Sequence, residues 1–445
     1  MGIGIYIHIP FCVKKCAYCD FLSAPCDAKE RASYVEALIR EIKRSEFAAT
    51  DRSVHSIFFG GGTPSLLEVN QLEAIMTALA EAFDIASDAE ISMECNPGTV
   101  DVDKLRGFRE CGINRLSIGL QSANDDELKV LGRIHDYSQF LKTYENARAA
   151  GFANINIDIM SAIPGQTYES YIDTLDKVIA LNPEHISSYS LIIEEGTPFY
   201  DIYGDGGTAE NGADVPRLPD EDTEREMYYE TKRRLEAAGY HRYEISNYAR
   251  DGYECRHNKV YWTGDDYLSF GIGASSYVDG IRWNNIEEMY PYMKFVLKEE
   301  SVSYGKADEL EMYSDYGFYD MAMDEDEDSG DSVWDNREAK AADGVVGSDV
   351  VFDDSLPWRC DINRLSRAER MEEFMIVGLR MMCGVSKSKW RELFDCDIES
   401  VYGHEIERFV SEGLMEVYEA QADEYIRLTE RGIDVSNTVL AYFLH

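Results

Sequence analysis

The sequence predicts an α/β fold, with strands and helices alternating over its first two hundred residues and a small winged-helix-like α+β unit at its C-terminal end. Two observations predict it. Six short β-rich runs each lead into a polar loop, most of them followed by a stretch with helical periodicity, and the connections are short. Such units require parallel strands with right-handed crossovers, as in a barrel or an open doubly wound sheet. After Arg359, "RMEEFMIVGLRMM" and "IERFVSEGL" read as amphipathic helices, and "LMEVYEAQADEYIRLTERGIDV" as a hairpin running into a helix.

The elements follow in order. "GIYIHI" precedes a cysteine-rich loop and the helix "KERASYVEALIREIKR"; "SIFF" runs into "GGGTPS" and then the helix "EVNQLEAIMTALAEAF". "EISMEC" leads through "NPGTV" to "DVDKLRGFREC", whose exit "CGI" carries a glycine stop. "RLSIGL", "NINIDIM" and "HISSYSLI" are the remaining strands; beyond them "REMYYETKRRLEAAG" reads as a helix and "YHRYEISNYA" as one strand.

Composition narrows the function classes. A chain of 445 residues, 44% hydrophobic, holds two or three domains. No run of eighteen apolar residues occurs, and "MGIGIYIHIPF" lacks the features of a secretory signal, so a cytoplasmic protein without stable membrane insertion is expected. Thiols there stay reduced, and the 10 cysteines read as metal ligands plus buried apolar side chains. A net charge of −41 repels phosphate backbones, which excludes nucleic acid as a partner. Residues 305–355 hold seventeen Asp or Glu against three Lys or Arg, a composition expected to stay solvated and mobile. The expected divisions are a barrel over 1–240, an extension over 241–304, the acidic insert over 305–358 and the C-terminal unit over 359–445.

Chemistry in parallel α/β folds gathers where strands end. Cys12, Cys16 and Cys19 follow the first strand, Gly60 to Thr63 the second, Glu94 ends the third, Gln121 follows the fourth, and Asp158 lies late in the fifth. Three thiols in one short loop can close on a metal. A structural zinc needs a fourth ligand, for which only His8 or Cys26 is at hand, and no second cysteine pair exists. A four-iron cluster held by three thiolates keeps one iron open.

"CVKKCAYC" resembles the Cys-x3-Cys-x2-Cys loop of the radical S-adenosylmethionine (SAM) superfamily. With "FFGGGTPS", "ECNPGT", "SIGLQS", "NIDIMSAIPGQT" and "RHNKVYW", it is similar to the coproporphyrinogen-oxidase-like group, and within it to a heme-chaperone branch. The resemblance implies a partial TIM-type (β/α)6 barrel, with a 4Fe-4S cluster on Cys12, Cys16 and Cys19 whose open iron takes SAM. A reduced cluster of this kind cleaves the SAM carbon–sulfur bond. By resemblance Gly61, Gly62 and Thr63 meet the methionine end, Glu94 and Asp158 accept from the ammonium or ribose hydroxyls, Gln121 and Arg133 serve the ribose and carboxylate, and Tyr6 and Tyr18 pack on the cluster and adenine.

The oxidases of the group carry another cysteine two positions beyond the third ligand, and a longer N-terminal arm; here Phe21 stands at that position and eleven residues precede Cys12. "ECRHNKVYW" looks like the His-Asn-x-x-Tyr-Trp signature of the chaperone branch, which makes His257 the candidate heme ligand, with Cys255 a weaker one; packing beside Tyr261 and Trp262 is the plain alternative for His257. The expected function is a heme chaperone with recipient hemoproteins as partners, and a homodimer is admitted. The alternatives are an oxygen-independent coproporphyrinogen III oxidase and a zinc-stabilised barrel with another role.

Overall fold

The computed structural model describes residues 2–48, 52–209, 212, 214–298, 356–420 and 422–444. At its centre lie six parallel strands paired in sequence order: β1 (Gly2–Ile9), β2 (Ser53–Gly61), β3 (Asp84–Cys95), β4 (Arg115–Gln121), β5 (Ile155–Ser161) and β6 (His185–Ser190). Each matches one of the six β-rich runs. Helices Ala28–Lys43, Val69–Ala82, Val102–Glu110, Tyr137–Ala149 and Tyr168–Leu181 carry the crossovers. Asp27, Asp101, Asp136 and Thr167 cap four of these helices by accepting from backbone N–H groups of the first turn.

Alternation along the strands decides which face is which. Ile3, Ile5, Ile7 and Ile9 of β1, Leu116, Ile118 and Leu120 of β4, and Ile155, Ile157 and Ile159 of β5 are buried in the core shared with the helices. The side chains between them, among them Tyr6, Arg115, Ser117, Asn156 and Asp158, line the hollow of the curved sheet. One face therefore buries apolar area while the other keeps a polar lumen.

The curl stops short of a closed barrel. Among the described residues β6 and β1 do not pair: β1 takes β9 (Tyr267–Phe270) in parallel, and β6 takes β8 (Asn247–Ala249) antiparallel. With β7 (His241–Arg242), β10 (Ser275–Val278), β11 (Ile281–Asn285) and β12 (Arg359–Arg364), the order is β12-β11-β10-β9-β1-β2-β3-β4-β5-β6-β8-β7. This is the partial barrel expected, widened at both edges, and it draws on residues from both sides of the divisions at 240 and 359. The stretch "YHRYEISNYA", read as one strand, is two. Tyr243 N donates to Asn247 O at 3.2 Å and Ser246 N to the Glu244 carboxylate at 3.0 Å, which turns the chain between β7 and β8. The acidic insert lies outside the described residues as far as Ser355; Trp358 is buried, and its carbonyl accepts from Ile286 N at 2.9 Å.

The C-terminal unit has its own core around Trp390, Tyr402, Phe409 and Phe443. It includes helices Arg367–Gly378, Lys387–Phe394 and Glu399–Ser411, an antiparallel sheet of β13 (Val385–Ser386), β14 (Met415–Ala420) and β15 (Asp423–Leu428), and the short helices Glu430–Asp434 and Ser436–Leu440 that follow it. Its first helix packs against helix Arg256–Thr263, which in turn lies on β1 and β2. Gly264 ends that inner helix at φ +65, a left-handed conformation suited to glycine, with Phe374 against it. Among the described residues no helix is long and apolar enough to cross a membrane.

Candidate functional site

The polar lumen opens into a cavity of about 490 Å³, and it is lined by every residue that the resemblance assigns to the cluster and SAM and by His257, the first candidate for heme; Cys255, the weaker one, does not line it. The cysteine loop leaves β1 and is pinned at its base, where Cys12 N donates to Ala24 O at 3.1 Å and Ala24 N to Pro10 O at 2.9 Å. Its middle is held by Ala17, whose N–H reaches Leu131 O at 3.0 Å and whose carbonyl accepts from Phe199 N at 3.0 Å. Cys12, Cys16 and Cys19 are free thiols of intermediate exposure. Among the described residues no three Cys, His, Asp or Glu side chains are drawn together tightly enough to chelate one ion. His8 has both ring nitrogens engaged, Nε2 donating to Leu22 O at 2.9 Å and Nδ1 lying 3.1 Å from the Tyr6 hydroxyl, and Cys26 is not part of the cavity wall.

Glycines bring β2 close to the loop. Gly61 has φ +107 and a Cβ there would stand 2.5 Å from the His8 ring; one on Gly62 would stand 2.7 Å from Phe11 O. Alanine at Gly61 is thus both strained and clashing. Thr63 Oγ1 lies 3.5 Å from Cys12 Sγ and accepts from Asn96 Nδ2 at 2.7 Å. Arg133 ties the same wall together: it donates to Asn96 Oδ1 at 2.7 Å, to Gly119 O at 2.8 Å and to Cys16 Sγ at 3.6 Å, and it sits beside Tyr18. Gln121, at φ +71, lines the same wall.

Two carboxyls face the lumen. Glu94 accepts from Gly61 N at 3.2 Å; burial and then the Asp158 charge push its pKa up to about 8, against that hydrogen bond. Asp158 accepts from Asn156 Nδ2 at 2.6 Å and the Ser117 hydroxyl at 3.2 Å, and burial raises its pKa despite these bonds. Elsewhere in the core Glu41, held by Tyr292, Gly271 N and Asn285, is pushed by burial up to about 7. Glu41 and Glu94 bind protons in the fold that the unfolded chain has released. Both contributions are complete below the unfolded carboxylate range and are lost as pH rises through the folded values, with a slope of at most about 1.4 kcal/mol per pH unit for each site. Urea denaturation of the cofactor-free protein should show stability falling between about pH 7 and 8, above the range in which the buried histidines, His257 among them, make stability rise with pH, and a rise over that window would contradict the assignment.

His257 lies at the inner end, 1% exposed, beside the Phe58 and Tyr6 rings. Nδ1 is 3.0 Å from Ser56 Oγ and Nε2 is 3.0 Å from the Tyr261 hydroxyl. Burial, with the neighbouring His55 and Arg115, lowers its pKa to about 3, so the ring is neutral. Glu90 caps its helix, accepting from Arg256 N at 3.1 Å, His257 N at 3.2 Å and Cys255 Sγ at 3.3 Å. Cys255 is fully buried and its thiol is pushed up to about 12, first by burial. It remains a thiol, which suits it poorly as a metal ligand.

Sequence reasoning passed over Asn96, Arg115, Glu90 and Ser56. Asn96 stands inside the quoted "ECNPGT", and Arg115 falls two residues before Ser117 on the lumen side of β4, so alternation could have found it. Glu90 and Ser56 carried no local signal.

Comparison with known proteins agrees with this geometry. A family model described as the radical SAM superfamily matches residues 6–178, and one for the HemN C-terminal domain matches residues 365–435. The heme chaperone HemW of Lactococcus lactis is 31% identical over 439 residues, covering 99% of this chain and 96% of that protein; that of Bacillus subtilis is 30% identical, covering 99% and 98%. HemW of Escherichia coli is 39% identical over 273 residues, 61% of this chain and 69% of its own length. In fold, the chain superposes on the coproporphyrinogen III oxidase HemN of Escherichia coli with a TM-score of 0.71 at 23% identity, covering 99% of this chain and 90% of that one. A rim of three loop thiols on a partial barrel, carried by a chain alike in length and sequence to these relatives, makes it a member of the HemW family within the radical SAM superfamily.

Proposed function

We propose that this chain is a heme chaperone of the cytoplasm that holds a 4Fe-4S cluster on Cys12, Cys16 and Cys19, binds SAM beside it and passes heme to recipient hemoproteins. Radical SAM membership implies the cluster and SAM. The residues fit both groups: the donors are three soft thiols spread along one loop, and the wall beyond them offers backbone N–H groups, two carboxyls and a guanidinium. When bound, such a cluster supplies electrons and an open iron. The chain's own part is placement. Arg133 and Asn96 hold the loop against β3 and β4, Gly61 and Gly62 let the backbone approach, and Glu94 and Asp158 accept from cationic or hydroxyl groups of a guest.

The observation that carries this reading is the three-thiol loop opening onto one cavity lined by all of these groups. Phe21, 64% exposed at the cavity mouth, supports a carrier over a decarboxylase, because the oxidases of the group place a thiol there. Anaerobically reconstituted protein, titrated in parallel with heme and with coproporphyrinogen, should bind heme and release no vinyl product. Decarboxylation of coproporphyrinogen would replace this reading with the oxidase.

His257 is the iron ligand of this proposal, and its surroundings set a condition. Coordination through Nε2 requires the Tyr261 hydroxyl to leave that nitrogen. A net hydrogen bond of about 1 kcal/mol opposes binding, so Tyr261→Phe should tighten heme binding roughly two- to tenfold. His257→Ala should abolish the ligand-dependent heme spectrum while SAM binding persists. Heme spectra unchanged in both variants would remove His257 from the heme site and leave it the role of sealing the barrel floor.

A further inference from the structure

Arg115 opens β4, and on that strand Ser117, Gly119 and Gln121, at alternate positions, line the cavity with it. Six steps at about 3.3 Å put its Cα roughly 20 Å along the strand from Gln121, so it belongs to the closed end of the lumen and not to the thiol rim. The residue is 1% exposed, yet it forms part of the cavity wall. Its Nε has no partner, and among the described residues no side-chain hydrogen bond or ion pair reaches the guanidinium. The carboxylates whose charge it feels are engaged elsewhere. Glu90 accepts from Cys255, Arg256 N and His257 N, and Asp158 accepts from Asn156 and Ser117.

A guanidinium carries five N–H donors in a rigid fork that matches a carboxylate. Burying it with those donors unpaired is costly, and an anionic guest at the closed end relieves the cost. Phosphate geometry would suit the fork too, but both guests of the proposed function carry carboxylates, and the buried Glu94 and Asp158 nearby disfavour a group of higher charge. We propose that Arg115 anchors a propionate of heme bound in this cavity. The inference rests on the reading that the cavity takes heme, whose propionates present that group; the SAM carboxylate belongs at the thiol rim with Arg133.

The test uses the full chain, reconstituted anaerobically, as wild type, Arg115→Gln and Arg115→Lys. Each is titrated with SAM and decarboxylated SAM, and with hemin and hemin dimethyl ester, reading binding by calorimetry and by the Soret band. Arg115→Gln should raise Kd at least about tenfold for the acid that Arg115 holds and leave its carboxylate-free counterpart unchanged, with Arg115→Lys in between. An effect confined to hemin assigns the carboxylate to a propionate and supports the proposal; an effect confined to SAM would overturn it, because the SAM carboxylate belongs at the thiol rim with Arg133. Wild-type affinity for both acids, or equal losses for acid and carboxylate-free ligand, would overturn it. Should Arg115→Gln fail to fold, Arg115→Lys keeps the charge, loses the fork and is judged by the same comparison. Wild type that binds neither ligand defeats the proposed function and this inference together, whereas intact wild-type binding with insensitive variants defeats this inference alone.

Discussion

Changing Cys12, Cys16 or Cys19 to Ala gives a protein that folds and holds no four-iron cluster. The first half of this expectation follows from where the thiols stand. None belongs to the hydrophobic core, and the side-chain partners of Cys12 and Cys16 are Thr63 and Arg133, each of which keeps Asn96 as a further partner. Truncating a half-exposed side chain on a loop costs within about 0.5 kcal/mol. The second half follows from ligand number: a cluster already short of one protein thiolate is left with two. Iron and sulfide analysis after anaerobic reconstitution should fall from about four irons per chain to background in each variant, with an unchanged circular dichroism spectrum. A brown chromophore retained in any one of them removes that cysteine from the ligand set.

Glu90→Ala should be the most destabilising substitution in the lumen. Its carboxylate joins β3 to the start of helix Arg256–Thr263 through two backbone N–H groups and the Cys255 thiol, and it lies within electrostatic reach of the buried Arg115. Its removal uncaps a helix and leaves a buried cation with less compensation, a combination worth roughly 3–5 kcal/mol. The loss is read as a shifted urea midpoint at constant slope. Because His257 and Tyr261 ride on that helix, heme binding should weaken in the same variant. Glu90→Gln, which keeps an acceptor oxygen, should retain part of the stability. A midpoint within about 1 kcal/mol of wild type for Glu90→Ala would mean that the helix is held by its packing on β1, β2 and helix Arg367–Gly378 instead.

The cysteine loop, the glycine turn and the carboxyl groups at strand ends were legible because their chemistry is local. Three thiols within eight residues need no knowledge of the rest of the chain, and the strands announce themselves by alternation, as in Ile3, Ile5, Ile7 and Ile9. The split of "YHRYEISNYA" was not legible, since residues of strand propensity run straight through a turn that Glu244 and Asn247 impose by hydrogen bonds. The family assignment needed only the motifs in their order.

The sequence by itself determined which side chains face the helices and which face the lumen, because period-two alternation is written into each strand separately. Tertiary structure decided what the lumen residues do for one another. Glu90 meets the backbone of residues more than 160 positions away, Ser56 meets His257 from 201 positions away, and Arg115 is left with donors that no neighbour fills. Hydrogen bonding and the electrostatics of burial depend on distances set by strand order and by the helix that seals the floor, and those distances exist only once the chain has closed on itself.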